Sequence, residues 1–359
     1  ISLINSTLNS NGRIEVGTNS LGVYSKDSVL TGTGGIRKLG EDSVGYYFEN
    51  VANSTLQMGS VEINGSGSAV YKLGDYIISG INAFNTGNIE VTSTNGGTFI
   101  VGMIGKNRSL ILNNEVMVRE TLSGTLKGTV ISTDSASLLF DTGFKITSET
   151  DGVIGIGTNG LYTGGAWADP IRPNYEIILD GQLNLKGDSV GIYAGEGTRV
   201  LIDTTGQITI GANSIGIYSK DSVTASVGFN KGTILLAGTE SAGLRADGIS
   251  TMENTGTITS QQDTLGNYYT NVQGIIATNG ATVDNSGIIT LNGAKSVGMY
   301  TNNGTINMTG GSIAVNADQS VGINSKGSSS NTYITGGTIE ATALDGGSAV
   351  ALYVVEAAL

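Results

Sequence analysis

The chain has 359 residues, a formal net charge of −12 with only 18 Lys and Arg, and neither cysteine nor histidine. That balance argues against nucleic-acid binding, whose phosphates need clustered cations, and the missing residue types exclude Ser-His-Asp and Cys-His catalysis, Cys/His zinc sites and disulfide clamps. Hydrophobic residues make up 38% and glycine fills 56 positions against two prolines, so a core can be buried and the glycine is not linker material.

In chain order, the first element is a phrase that keeps returning. Residues 12–24 read GRIEVGTNSLGVY, residues 181–193 GQLNLKGDSVGIY and residues 206–218 GQITIGANSIGIY. Each opens on Gly, runs through an alternating pair (Ile14 and Val16; Leu183 and Leu185; Ile208 and Ile210), turns, and closes on Ser-apolar-Gly-apolar-Tyr. Weaker copies begin at Gly232, Gly256, Gly287, Gly311 and Gly337. With the Ser or Thr before apolar-Gly as marker, the steps Ser20–Ser43, Ser43–Ser68, Ser189–Ser214, Ser214–Ser241, Ser241–Thr264 and Ser296–Ser320 are roughly 23 to 27 residues, as in stacked repeats.

Period-two alternation of Ile, Val, Leu and Thr between Gly, Asn, Asp and Ser turns is strand chemistry, and no stretch predicts a helix. A unit this short cannot bury its inward side chains alone, whereas parallel stacking buries a continuous column. The expected fold class is all-β: a parallel β-helix solenoid with rungs of about two dozen residues, spanning 1–359 as one segment. Long irregular turns favour a right-handed coil. Glycine is expected to supply the positive-φ corners.

Residues 1–101 read as regular rungs, with an aromatic closing the tandem Gly45-Tyr46-Tyr47-Phe48 and the variant Ser68-Ala69-Val70-Tyr71. The marker spacing then exceeds one period, which predicts an outward loop or lateral extension over 104–120, including the charged stretch Lys106–Glu120. A second surplus predicts an extruded loop over 157–176, because it holds the only Trp and both prolines, and proline lacks the N–H that a ladder needs. The chain starts at Ile1 without a leader and ends on apolar LYVVEAAL, so a segment of a longer protein is expected.

Five residues of the second loop are the candidate ligand-binding set: Tyr162, Trp167, Asp169, Arg172 and Tyr175. Aromatic rings beside an acid and an arginine suit a sugar ring or a protein hot spot; the alternative is that Trp167 folds back over the flank of the coil. The closing tyrosines Tyr24, Tyr71, Tyr193, Tyr218, Tyr300 and Tyr353 recur once per rung and are expected to form a structural ladder. The Lys-Asp pairs in Tyr24–Val29 and Tyr218–Val223 read as solvated corners. Glu41 with Asp42 and Glu149 with Asp151 could form a glycosidase dyad or bind calcium through oxygen, but solvated turns are the default.

The Ser-Val-Gly-Ile-Tyr phrase, as in Ser189–Tyr193, its relatives Ser214–Tyr218 and Ser296–Tyr300, and the Asn-Ser/Thr-Gly-x-Ile segments Asn254–Ile258 and Asn285–Ile289 resemble the passenger domains of large type Va autotransporter adhesins of the fusobacterial, RadD-like group. The resemblance covers nearly the whole chain. It implies a bacterial-surface protein with a signal peptide and an outer-membrane β-barrel in the parent chain. The implied partners are host glycans, host receptors or other bacteria. No enzymatic activity and no cofactor is expected. Two alternatives stand beside it: a carbohydrate-active β-helix enzyme, such as a polysaccharide lyase or hydrolase, and a purely structural spacer.

Overall fold

The recurring phrase folds as strand, corner, strand. The computed structural model describes residues 1–49, 55–75, 82–83, 86–94, 96–120, 126–163, 167–343 and 347–355, and among these there are strands and turns but no helix. Two compact units divide the chain, Ile1–Lys186 and Gly187–Leu359. Each is a stack of parallel strands, so the fold is the expected parallel β-helix.

In Gly187–Leu359 the first face stacks Val190–Ala194, Ile215–Asp221, Ala242–Gly248, Gln273–Thr278, Val297–Asn302, Ser320–Lys326 and Ala349–Val355. The second face runs from Arg199–Ile202 to Asn331–Ile334, the third from Gln207–Ile210 to Thr338–Ala341. In Ile1–Lys186 the first face runs from Ser2–Ile4 to Val153–Asn159 and the third from Arg13–Val16 to Gln182–Leu185. Its second side is split into one sheet of Thr7–Asn9, Val29–Gly32 and Thr55–Leu56 and another from Asn82–Ala83 to Ile177–Leu179.

Period-two alternation puts alternate residues of each third-face strand inside. Ile208, Ile234, Ile258, Ile289 and Ile313 stand directly above one another and are fully buried. Burying each contributes roughly 1.5–3 kcal/mol, so the column is a main source of stability.

The glycine of the Ser-apolar-Gly phrase faces this column. A Cβ at Gly216 would lie 2.5 Å from the Gly243 carbonyl oxygen and 3.1 Å from Cγ2 of Ile234, and the same collision recurs at Gly243, Gly274 and Gly298. These glycines are required for space between two faces rather than for conformation. The marker serine has a separate role. Its buried hydroxyl accepts the backbone N–H of the serine one rung earlier, at 3.0 Å from Ser189 to Ser214 and 3.1 Å from Ser296 to Ser320. The same hydroxyl donates within the corner, Ser214 Oγ to the Ala212 carbonyl at 2.9 Å. Both bonding needs of a buried serine are thereby met.

Several expectations are corrected. Glycine does hold positive φ at many turns, among them Gly152, Gly197, Gly248 and Gly311, but just before the marker that conformation mostly falls to other residues: Asn19, Asp42, Asp188, Asn213, Glu240, Lys295 and Gln319 hold φ between 50° and 61°. Residues 104–120 are not an extension. Ser109–Leu112 pairs with Ser137–Phe140, and Glu115–Glu120 pairs with Ile89–Ser93 and Lys145–Ser148, as ordinary rung strands. Arg108, inside the stretch expected to be a loop, is buried and donates to the carbonyls of Gly74 at 2.8 Å and Glu49 at 2.9 Å. Thr264 is not a rung marker either. It sits in a small hairpin, and the true corner of that rung is Asn271-Val272, with Asn271 at φ 57°.

Candidate functional site

The loop expected over 157–176 begins later than the sequence suggests, since Val153–Asn159 is a first-face strand; no strand follows until Ile177–Leu179. Residues 164–166 lie outside the described residues. Pro170 and Pro173 fall in the strand-free part, where their missing N–H groups cost no ladder bond.

The five candidate residues do not open outward as one set. Tyr162 is buried, its amide donates to Oε1 of Glu176 at 3.2 Å, and burial pushes its phenol above the usual range. Trp167 is half-buried and meets Tyr162 edge to face, with ring centroids 4.9 Å apart. Ala168 N–H donates to Ser137 Oγ at 2.9 Å, fastening the loop to a second-face strand. Asp169 is buried and caps the turn beyond it, accepting from the Ile171 amide at 2.7 Å.

Arg172 is held between two carboxylates. Its Nε donates to Asp169 Oδ2 at 2.6 Å, while its two terminal nitrogens reach Asp180 at 2.7 and 2.8 Å in a bidentate fork. Burial raises the Asp169 carboxyl, but the Ile171 amide and the Arg172 guanidinium outweigh it and hold the group below its usual value. Tyr175 is half-buried. What the loop offers to solvent is the turn between the prolines, where Ile171 is 87% exposed. Charge pairing and ring packing therefore tie the described residues of the loop to one another and to Asp180, with Ile171 as an apolar tip.

No protein-family model, curated protein or solved structure matches the chain.

The tyrosine column forms on the outer surface of the first face, with one exception. In the second unit Tyr193, Tyr218, Arg245, Ile276, Tyr300, Asn324 and Tyr353 stand in register. Tyr193 and Tyr218 meet edge to face at 5.7 Å, and Arg245 lies over the Tyr218 ring at 5.4 Å. In the first unit Tyr24 follows Ser2 in the corresponding column and stacks on Tyr47 at 5.8 Å. Tyr71 does not belong to it. It falls one residue earlier in its phrase than Tyr24, so it pairs with Tyr46 and Gly102 and points inward. A Cβ on Gly102 would lie 2.3 Å from the Tyr71 hydroxyl oxygen, so the glycine makes room for the ring.

The charged pairs divide by environment. Lys26 bonds Glu49 at 2.5 Å on the surface, and Tyr24 donates to the same carboxylate. Asp221, expected in a solvated corner, is buried. Its Oδ2 accepts from Ser219 Oγ at 2.9 Å, Ser250 Oγ at 2.7 Å and the Ser226 amide at 2.7 Å. Glu149 is bound to Arg119 at 2.8 Å, and Arg119 also reaches Glu90 at 3.2 Å, forming an ionic bridge across successive rungs. Asp42 occupies a positive-φ corner. Among the described residues, no group of three or more Asp and Glu is placed to hold a metal ion.

Proposed function

We propose that the chain is a binding passenger of a cell-surface adhesin: a non-catalytic β-helical stalk that carries recognition surface to host-cell glycans or receptors, or to other bacteria. One observation carries this reading. Past Trp167 the strand-free segment is fastened to the coil through Ser137, Asp169, Arg172 and Asp180, and it presents the exposed Ile171 on that support. Binding residues on loops held by a stiff scaffold avoid the entropy cost of ordering on contact. The sequence resemblance supports the same reading and adds a location, the bacterial surface, with the parent chain anchored through an outer-membrane β-barrel.

The purified chain, assayed for adhesion to epithelial cells and partner bacteria, tests the proposal. Adhesion that is lost in Ile171→Asp and weakened in Trp167→Ala, with unchanged circular dichroism, supports it. A folded chain that adheres to neither leaves the spacer reading.

A further inference from the structure

Between the third-face strand Thr257–Ser260 and the first-face strand Gln273–Thr278 the chain leaves its rung as a small hairpin. Gln262 and Tyr268 form an antiparallel bridge, whereas the strands on either side of it, Thr257–Ser260 and Gln273–Thr278, pair in parallel. Asp263 fixes the tip. Its Oδ1 accepts from the amides of Leu265 at 2.8 Å and Asn267 at 2.9 Å, its own amide donates to the Asn267 carbonyl at 2.8 Å, and these bonds, Asn267's first, hold the carboxyl below its usual range. The hairpin leaves Tyr268 38% exposed and Leu265 84% exposed.

Beside the hairpin the next two rungs turn their corners with small and polar residues. Tyr268, Asn267, Asn292, Ala294, Ala317 and Asp318 line an open groove of about 370 Å³. Its floor is set by close packing, since a Cβ on Gly293 would lie 1.8 Å from the Tyr269 carbonyl oxygen. Asn316 Nδ2 donates to Asn292 Oδ1 at 2.8 Å and so fixes the orientation of the Asn292 amide.

We propose that this groove is a subsite for a neutral carbohydrate, with one sugar ring on the Tyr268 face and its hydroxyls bonded by Asn267, Asn292 and Asp318. A sugar presents a flat C–H surface edged by groups that both donate and accept. An aromatic plane beside amides and a carboxylate complements both features. Among the described lining residues there is no Lys or Arg, although the exposed Lys295 is next to Ala294, and Asp318 is acidic, which favours a neutral ligand over sialylated, sulfated or phosphorylated ones. This deepens the adhesin reading by naming a ligand class and a second contact point.

Saturation-transfer NMR of the full chain with neutral oligosaccharides of galacto, gluco and manno configuration, and with sialylated counterparts, tests the site. The expected result is binding of at least one neutral probe, weakened about tenfold or more in Tyr268→Ala and largely retained in Tyr268→Phe, the loss a stacking contact predicts. Tyr268 lies outside the stacked rungs, so circular dichroism should be unchanged in both variants. Absence of neutral-glycan binding, preference for the sialylated probes, or equal binding by Tyr268→Ala overturns the inference. If cell adhesion persists in any of those cases, the adhesin reading stands without this site.

Discussion

The side-chain amide of Asn254 donates to Oδ1 of Asn285 at 2.8 Å and accepts from Nδ2 of Asn230 at 2.7 Å. All three side chains are fully buried and stand in register on the second face. A primary amide both donates and accepts, so stacking one per rung pairs groups that would otherwise be orphaned inside the coil, while Oδ1 of Asn230 at the head of the stack has no partner.

Asn254→Ala therefore strands a donor on Asn230 and an acceptor on Asn285. At about 1–3 kcal/mol per orphan, the expected loss is roughly 2–4 kcal/mol, felt first as local opening. Hydrogen exchange of the amides in Val227–Asn230 and Thr251–Asn254 should accelerate markedly. Unchanged protection would show that the amide stack contributes nothing.

The first-face glycines separate steric need from propensity. Gly216→Ala forces a methyl into the Gly243 carbonyl and should cost about 1–3 kcal/mol or more. At Gly310 the nearest atom to an added Cβ is 3.5 Å away and φ is not positive. Gly310→Ala should be neutral or stabilising by about 0.5 kcal/mol, because the unfolded chain loses freedom. Parallel thermal melts decide between them; equal shifts would refute the packing account.

At the corners, Lys295 and Gln319 adopt φ of 61° and 57°, a region that suits Asn or Gly far better than long side chains. Lys295→Asn should raise stability by about 0.5–1 kcal/mol, and Asn213→Val at the equivalent corner should lower it by at least as much. The difference in urea midpoint between the two variants gives the sign.

Acid sensitivity should trace in part to two partly exposed carboxylates that close loops, Glu196 and Asp263. Amides of Ser222, Thr224 and Val223 hold the Glu196 carboxyl below its ordinary 4.5, and the Asn267 and Leu265 amides hold Asp263 below its ordinary 3.8. A depressed folded value means that the unfolded chain binds the proton more readily. The stabilisation is complete above those ordinary values and is lost as pH falls through the lower folded ones. With no histidine, melting should be flat between about pH 6 and 8. Glu196→Gln should make the decline below about pH 5 shallower in melts across that range. An unchanged acid slope would remove Glu196 from the account.

The stack itself was legible because period-two alternation and a recurring corner are local signals, and parallel stacking repeats them without change. What escaped prediction depends on counting or on neighbours. Tyr71 departs from the tyrosine column through a single missing residue, and Thr264 imitates the marker inside a hairpin whose real corner, Asn271-Val272, lacks the serine. Lys106–Glu120 looks like a loop by charge, yet Glu115, Met117 and Arg119 are half-exposed while Val116 and Val118 are buried, the ordinary alternation of a strand. Asp221 shares its local sequence with exposed Asp27 and is buried because Ser219, Ser226 and Ser250 meet its carboxylate. The Trp167 loop was visible from its prolines, but the clamp on Arg172 needs Asp180, which lies beyond the loop.

Register is the claim on which the rest depends, and the cysteine-free chain allows a direct test. Thr259 and Thr290 are Cα partners on adjacent parallel third-face strands. Such strands lie about 4.8 Å apart, within the roughly 4.4–6.8 Å that a disulfide spans. Oxidation of the double variant Thr259→Cys, Thr290→Cys should give an intramolecular disulfide in high yield. The pair Thr259→Cys with Ile288→Cys, displaced to the partner of Thr257, should stay largely reduced. Efficient crosslinking of the displaced pair, or none of the matched one, would contradict the stacked-rung structure.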